Sequence, residues 1–236
     1  SVVEAAHRKG VPVVSYDRLI RNADVDLYVS HQVPRIGAMQ AEYALKRVPK
    51  GNYLLIGGAP NDNNALLLRR AQMDVLKPAI DRGDIRIVAQ PFAAEWRPEE
   101  ARRITARELD RTGGSIQAIV ASNDGTAGGA VAALEAAGLA GKVVVTGQDG
   151  DLDAARRIAR GTQAMTVFKP IQPLAFSAVD AAVRLARREP VTAGDHIHNG
   201  KAVIRAILHE PIVVDRENLD GPMIRGGYHR RDDVYP

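Results

Sequence analysis

Polar side chains stand directly behind short apolar runs at several places in this chain: Asp17-Arg18, Asp62-Asn63-Asn64, Asn123-Asp124, Gln148-Asp149 and Lys169. Carboxylate and carboxamide oxygens accept hydrogen bonds from hydroxyl groups, while amide, guanidinium and ammonium groups donate to hydroxyl and ring oxygens. Together they have the chemistry needed to hold a small polyhydroxylated molecule. The richest stretch is Leu54–Arg70, LLIGGAPNDNNALLLRR, in which Asp62 and Asn64 precede Arg69. A second reading stands beside this one, because Asp, Asn and Ser after a strand also cap the next helix. Capping does not account for Arg18 or Lys169, whose side chains accept no hydrogen bond. Five residues at about 100° each do not place Asn64 and Arg69 on one helix face. Trp96, the only tryptophan, sits in the polar context AAEWRPEE. It is either a half-buried surface aromatic or a flat platform for the C–H face of a ring.

Catalytic patterns are scarce. His7, His31, His196, His198, His209 and His229 form no metal-binding helix motif. His196 and His198 are two apart, but in a stretch that reads as a loop. No Gly-x-Ser-x-Gly elbow occurs. Asp62 and Asp149 are conceivable as an acid/base pair, yet nearby Arg and Lys favour their ionised forms, whereas a general acid needs a raised pKa. Gly57-Gly58 lacks the phosphate-cradling pattern and its Lys-Ser/Thr. The expectation is a binding protein, with no catalytic residue, metal or cofactor.

Polar groups at strand ends need a sheet to bring them together. Short apolar runs alternate with helical segments throughout, which predicts a parallel α/β sheet. Strands are expected at Pro12–Ser15, Asp26–Ser30, Asn52–Gly57, Ile85–Ala89, Ile116–Ala121, Lys142–Thr146 and Ala164–Phe168. Helices are expected over Pro34–Arg47, from the Asp62 loop to about Asp81 (with Pro78 able to end it sooner), and over Pro98–Leu109, Asp124–Ala137, Asp151–Arg160 and Ile171–Arg188. After Pro190 the pattern becomes irregular, with strand-like IRAIL and PIVV and then a Gly- and Arg-rich tail. In a parallel sheet the polar endings all lie outside the carboxyl edge, where ligands of open α/β folds bind. The 236 residues are enough for one large domain or two modest ones. The net charge of +4 is spread along helices among Glu and Asp, which argues against a nucleic-acid patch. The absence of Cys excludes disulfides and thiolate metal sites. No apolar run is long enough for a membrane span.

The segments VPVVSYDRLI, GNYLLIGGAPNDNNALLLRRAQMDVLKP, IVASNDGTAGGAVAAL, VVVTGQDGDLDAARRIARGTQAMTVFKP and HNGKAV resemble the D-xylose-binding branch of the type I periplasmic sugar-binding proteins of ABC importers. The resemblance covers nearly the whole chain. It implies two Rossmann-like lobes with a sugar between them: residues 1–32 and 170–195 as an N-terminal lobe, 33–169 as a C-terminal lobe, and 196–236 as a third crossing and tail. It implies that Asp17 and Arg18 reach from the first lobe and that Asp62, Asn64 and Arg69 serve the second. Trp96 would stack on the pyranose, Asn123 and Asp149 would bind hydroxyls, and Lys169 would lie at a crossing. The partners implied are a monosaccharide, D-xylose first, and an ABC permease, in a periplasmic or extracytoplasmic location. The chain starts within a helix, so the resemblance also implies an incomplete N-terminal lobe, with an exposed sheet edge and a tendency to self-associate. Two other readings use the same fold: an extracytoplasmic sugar sensor, and the effector-binding domain of a lactose-repressor-like regulator.

Overall fold

The alternation of helical and strand patterns is realised in the computed structural model, which describes residues 1–235. Helix α1 (Val2–His7) starts on a reciprocal Ser1/Glu4 capping box. Strands β1 (Val14–Tyr16) and β2 (Leu27–His31) follow. The chain then alternates through α2 (Val33–Arg47), β3 (Gly51–Ile56), α3 (Asn63–Asp81) and β4 (Ile85–Ala89). A 3-10 turn at Ala94–Trp96 leads into α4 (Pro98–Thr112), β5 (Ala118–Ala121), α5 (Asp124–Ala136) and β6 (Val144–Thr146). Next come β7 (Gln148–Asp149), α6 (Leu152–Arg160), β8 (Met165–Phe168) and α7 (Ile171–Ala186). The last part holds β9 (Asp195–His198), β10 (Val203–His209), β11 (Ile212–Asp215), a π-helical turn at Asp220–Arg225 and α8 (Arg231–Val234).

These elements form two compact units. The first contains Ser1–Gln32 and Pro170–Pro211. Its sheet runs β1-β2-β10-β9, with only β9 antiparallel. Every residue of β2 is buried, and the strand's alternation divides them between two cores. Leu27 and Val29 pack with Leu174 and Ala181 of α7, while Tyr28 joins Val3, Val25 and Ala206.

The second unit contains Val33–Lys169 and the chain from Ile212 onward. Its main sheet, β4-β3-β5-β6, is wholly parallel. Leu54, Ile56, Ile119 and Val145 face Ile104, Leu109, Val131 and Leu134 of α4 and α5. Tyr53, Leu55 and Val120 face Ala41 and Ala44 of α2 and Leu76 and Ala79 of α3. Helices on both faces explain why the strands read as unbroken aliphatic runs. A smaller sheet, β11-β8-β7, continues the same unit, with β7 and β8 parallel.

α3 runs to Asp81 as expected, and Pro78 does not end it sooner. The ring removes the bond to the Asp74 carbonyl, but Pro78 and Asp74 are both exposed, so water replaces it. After Pro190 the strand-like IRAIL and PIVV correspond to β10 and β11, but Asp195–His198 adds a strand where the sequence pattern is irregular. β9 and β10 form a hairpin in the first unit, joined by the four residues 199–202, and β11 with the tail belongs to the second. His196 and His198 thus lie on a strand, not in a loop, and both are exposed on its outer side.

Candidate functional site

In the second unit the parallel sheet sends the ends of β3, β4, β5 and β6 to one edge, and the loops that follow carry the polar residues. After β3, Asp62 is the N-cap of α3, and its Oδ1 accepts from the Asn64 amide at 2.8 Å. Capping occupies only that oxygen. Asp62 Oδ2 accepts from Trp96 Nε1 at 3.1 Å and fixes the indole. The ring lies so close over Gly58 that a Cβ there would sit 2.1 Å from it, so only glycine permits the contact. Glu95 and Trp96 reach this position with φ of 53° and 60°. Left-handed geometry at non-glycine residues costs on the order of 1–3 kcal/mol each and persists only where the surroundings enforce it. Asn64 is buried beside this cluster.

Arg69 has a different environment. Its Nη1 donates to the Gln90 carbonyl at 2.6 Å, and its Nη2 to the carbonyls of Pro91 and Leu55 at 3.2 and 3.4 Å. The guanidinium also stacks 4.8 Å from the centre of the Phe92 ring. Burial lowers its pKa to about 10. Its donors brace the chain between β4 and Trp96.

After β5, Asn123 is the N-cap of α5, and its Oδ1 accepts from the Thr126 amide at 2.9 Å and hydroxyl at 2.7 Å. At the end of β7, Asp149 holds φ at 110° and pairs with Lys169 at 2.9 Å. Both side chains of the pair are partly accessible. Behind these loops is a set of buried amides that the sequence reading gave no role. Gln40 Nε2 donates to the carbonyls of Ala121 and Gly147, each at 3.0 Å. Gln72 Nε2 donates to Gln40 Oε1 at 2.8 Å, and Gln148 Nε2 to the Ser122 carbonyl at 2.9 Å. The available signal was a glutamine on the apolar stripe of α2, between Met39 and Tyr43. Asp124, one of the polar strand endings, has a structural role that its position alone does not reveal. It is buried, and Gln163 and Thr166 each donate to its carboxylate at 2.9 Å. Burial, then the charge of Asp149, raises its pKa to about 7.

In the first unit, Asp17 and Arg18 follow β1. Asp17 takes φ of 56°, and its carbonyl accepts from the Tyr28 hydroxyl at 3.0 Å. Arg18 Nη1 donates to the Asp17 carboxylate, and the Arg18 side chain is more than half exposed.

Asp62, Trp96, Asn123, Asp149 and Lys169 do not line the concavity of about 740 Å³ beside the starts of α5 and α6, which Asp124, Asp151, Arg156 and Arg157 border. Among the described residues no group of three or more His, Asp or Glu is placed to hold a metal ion, and no helix is long and apolar enough to cross a membrane.

A family model described as a periplasmic binding protein domain matches residues 1–190. The D-xylose-binding periplasmic protein of Haemophilus influenzae is 44% identical over 235 residues, covering 100% of this chain and 71% of that protein. The protein of the same name from Escherichia coli K12 is 44% identical over 234 residues, covering 99% of this chain and 71% of that one. A solved carbohydrate transporter solute-binding protein from Chloroflexus aurantiacus, in complex with D-glucose, superposes with a TM-score of 0.91 at 31% identity, covering 98% of this chain and 76% of that one. The strand-end polar clusters, the two α/β units and these likenesses lead to one conclusion: the chain belongs to the periplasmic binding protein family, whose members bind solutes and are not enzymes.

Proposed function

We propose that this chain binds D-xylose, or a closely related aldose, and presents it to an ABC sugar permease on the periplasmic or extracytoplasmic side of a membrane. The carrying observation is the pair of pre-built polar sets at one edge of the second unit. Asp62 holds the Trp96 indole through Nε1, and Lys169 pairs with Asp149. The first set offers a fixed aromatic face for ring C–H groups. The second offers a carboxylate to accept from sugar hydroxyls and an ammonium to donate to oxygens. Asn123 and Asn64 add amide groups. Arg69 adds a guanidinium, and its Nη donors also brace the chain before Trp96. The names of the two 44% identical relatives support D-xylose as the first sugar to test.

Titration calorimetry with D-xylose, D-glucose, D-ribose and L-arabinose tests the reading. Saturable heat that is strongest with D-xylose is expected. Absence of heat with every pentose removes the proposal. Delivery to a permease is tested separately by sugar-dependent stimulation of the transporter's ATPase in vesicles.

A further inference from the structure

Asp149 has the geometry of a side chain held in place by its neighbours. Its φ of 110° is outside the ordinary range for a non-glycine residue, and Gly150 follows at 88°. Two groups distant in sequence grip the peptide unit at Gly150. On the amide side, Asp124 Oδ2 accepts from Gly150 N at 2.8 Å and from Asp151 N at 3.0 Å. The same oxygen accepts from Thr166 Oγ1 at 2.9 Å, while Oδ1 accepts from Gln163 Nε2 at 2.9 Å. On the carbonyl side, His229 Nε2 lies 2.7 Å from Gly150 O. A carbonyl oxygen only accepts, so His229 carries its proton on Nε2 here.

The tail is built to deliver that imidazole. The π-helical turn ends with Met223 O accepting from Tyr228 N at 3.0 Å and from His229 N at 2.8 Å. Tyr228 then packs between Phe168 and His229, with both ring centroids 4.6 Å from its own. The turn itself fits tightly, since a Cβ on Gly150 would lie 2.5 Å from the Phe168 ring and 3.0 Å from Met223 Cε.

We infer that Asp124 and His229 are positioning residues for sugar binding: they clamp the Gly150 peptide from its two sides and so hold the Asp149 carboxylate in its ligand-binding orientation. The inference rests on the proposed sugar-binding role of Asp149. It assigns a purpose to the tail. It also explains why a carboxylate is buried one residue after Asn123: Asp124 ties the loop after β5 to the loop after β7.

The test uses the full chain and two readouts. Loss of one hydrogen bond to a binding loop weakens affinity by about three- to tenfold. His229→Ala is expected to weaken D-xylose binding by that amount, and His229→Gln, which keeps an N–H donor, to restore most of it. Asp124→Asn, which turns an NH₂ toward existing donors, is expected to weaken binding at least as much. Hydrogen exchange without sugar is the second readout: the Gly150 and Asp151 amides should exchange faster in Asp124→Asn, and the turn should open more often in His229→Ala. Folded variants with unchanged affinity overturn the inference, even where exchange is faster. So does an His229→Gln variant as weak as His229→Ala. If the unaltered protein binds none of the tested sugars, the proposed function fails first; unchanged exchange in the variants would then overturn the clamp independently.

Discussion

At the residue scale, the side chains singled out by type divide into those that present a group and those that hold one in place. Asp62 does both, capping α3 with one oxygen and fixing the Trp96 indole with the other. Arg69 holds through its two Nη groups, which donate to three backbone carbonyls while the guanidinium stacks on the Phe92 ring. Trp96 presents, and removal of its ring takes away the stacking face. Trp96→Ala is therefore expected to weaken D-xylose binding by about tenfold or more, equivalent to at least ~1.4 kcal/mol. Trp96→Phe keeps a ring but loses the bond to Asp62, and its affinity should be intermediate. Titration calorimetry checks both, and an unaltered affinity in Trp96→Ala would reduce the ring to surface packing.

At the scale of elements, the β9–β10 hairpin shows how one side chain can organise a turn. Asn199 opens the four-residue connection between His198 and Val203, and Asn199 N donates to Ala202 O across it at 3.0 Å. Asn199 is buried; its Nδ2 donates to the carbonyls of Ala23 and Ile20 at 2.6 and 3.1 Å, and its Oδ1 accepts from Lys201 N and Ala202 N, each at 3.1 Å. Asn199→Ala leaves buried backbone groups unsatisfied and should cost about 2–3 kcal/mol. Urea denaturation followed by circular dichroism would measure it, and a change under about 0.5 kcal/mol would contradict the account.

For the whole molecule, the buried charge of Asp124 sets a pH dependence. Its pKa is raised to about 7, first by burial and then by Asp149. Between the ordinary carboxylate range and pH 7 the folded state keeps a proton that the unfolded chain releases. This contribution to stability therefore falls as pH rises through that window. Asp124→Asn has no such charge, so its stability relative to the unaltered protein should improve from pH 5 to pH 8. Denaturation midpoints at the two pH values test this, and a constant difference would contradict it. A second whole-molecule feature is apolar surface on the first unit. Phe176, Val179 and Val183 follow the i, i+3, i+7 spacing of one face of α7 and are 67%, 62% and 42% exposed. Exposed apolar stripes promote association. Light scattering of this chain should show species heavier than a monomer, reduced by Val179→Lys; a monodisperse monomer would contradict the prediction.

What the sequence by itself determined follows from local pattern. Aliphatic runs alternating with amphipathic segments require parallel α/β sheets, and the polar residues behind each run then lie at the carboxyl end of that run's strand. The pairs Asp62 with Asn64 and Asn123 with Thr126 are contacts within four residues, and capping chemistry makes them legible. The tertiary structure decided which groups face one another across long stretches of chain: Trp96 on Asp62, Arg69 on the Gln90 and Pro91 carbonyls, Gln40 on Gly147, and His229 on Gly150. No periodicity encodes such pairs, because each depends on where two separate elements dock. The hairpin at Asn199 lies between these cases. Its turn signal is local, but the charged and aliphatic residues of β9 have an ordinary loop composition until β10 supplies hydrogen-bond partners. In the same way, the apolar runs place Asp149 at the sheet edge, whereas its orientation is fixed by a buried carboxylate and a tail histidine brought to it by folding.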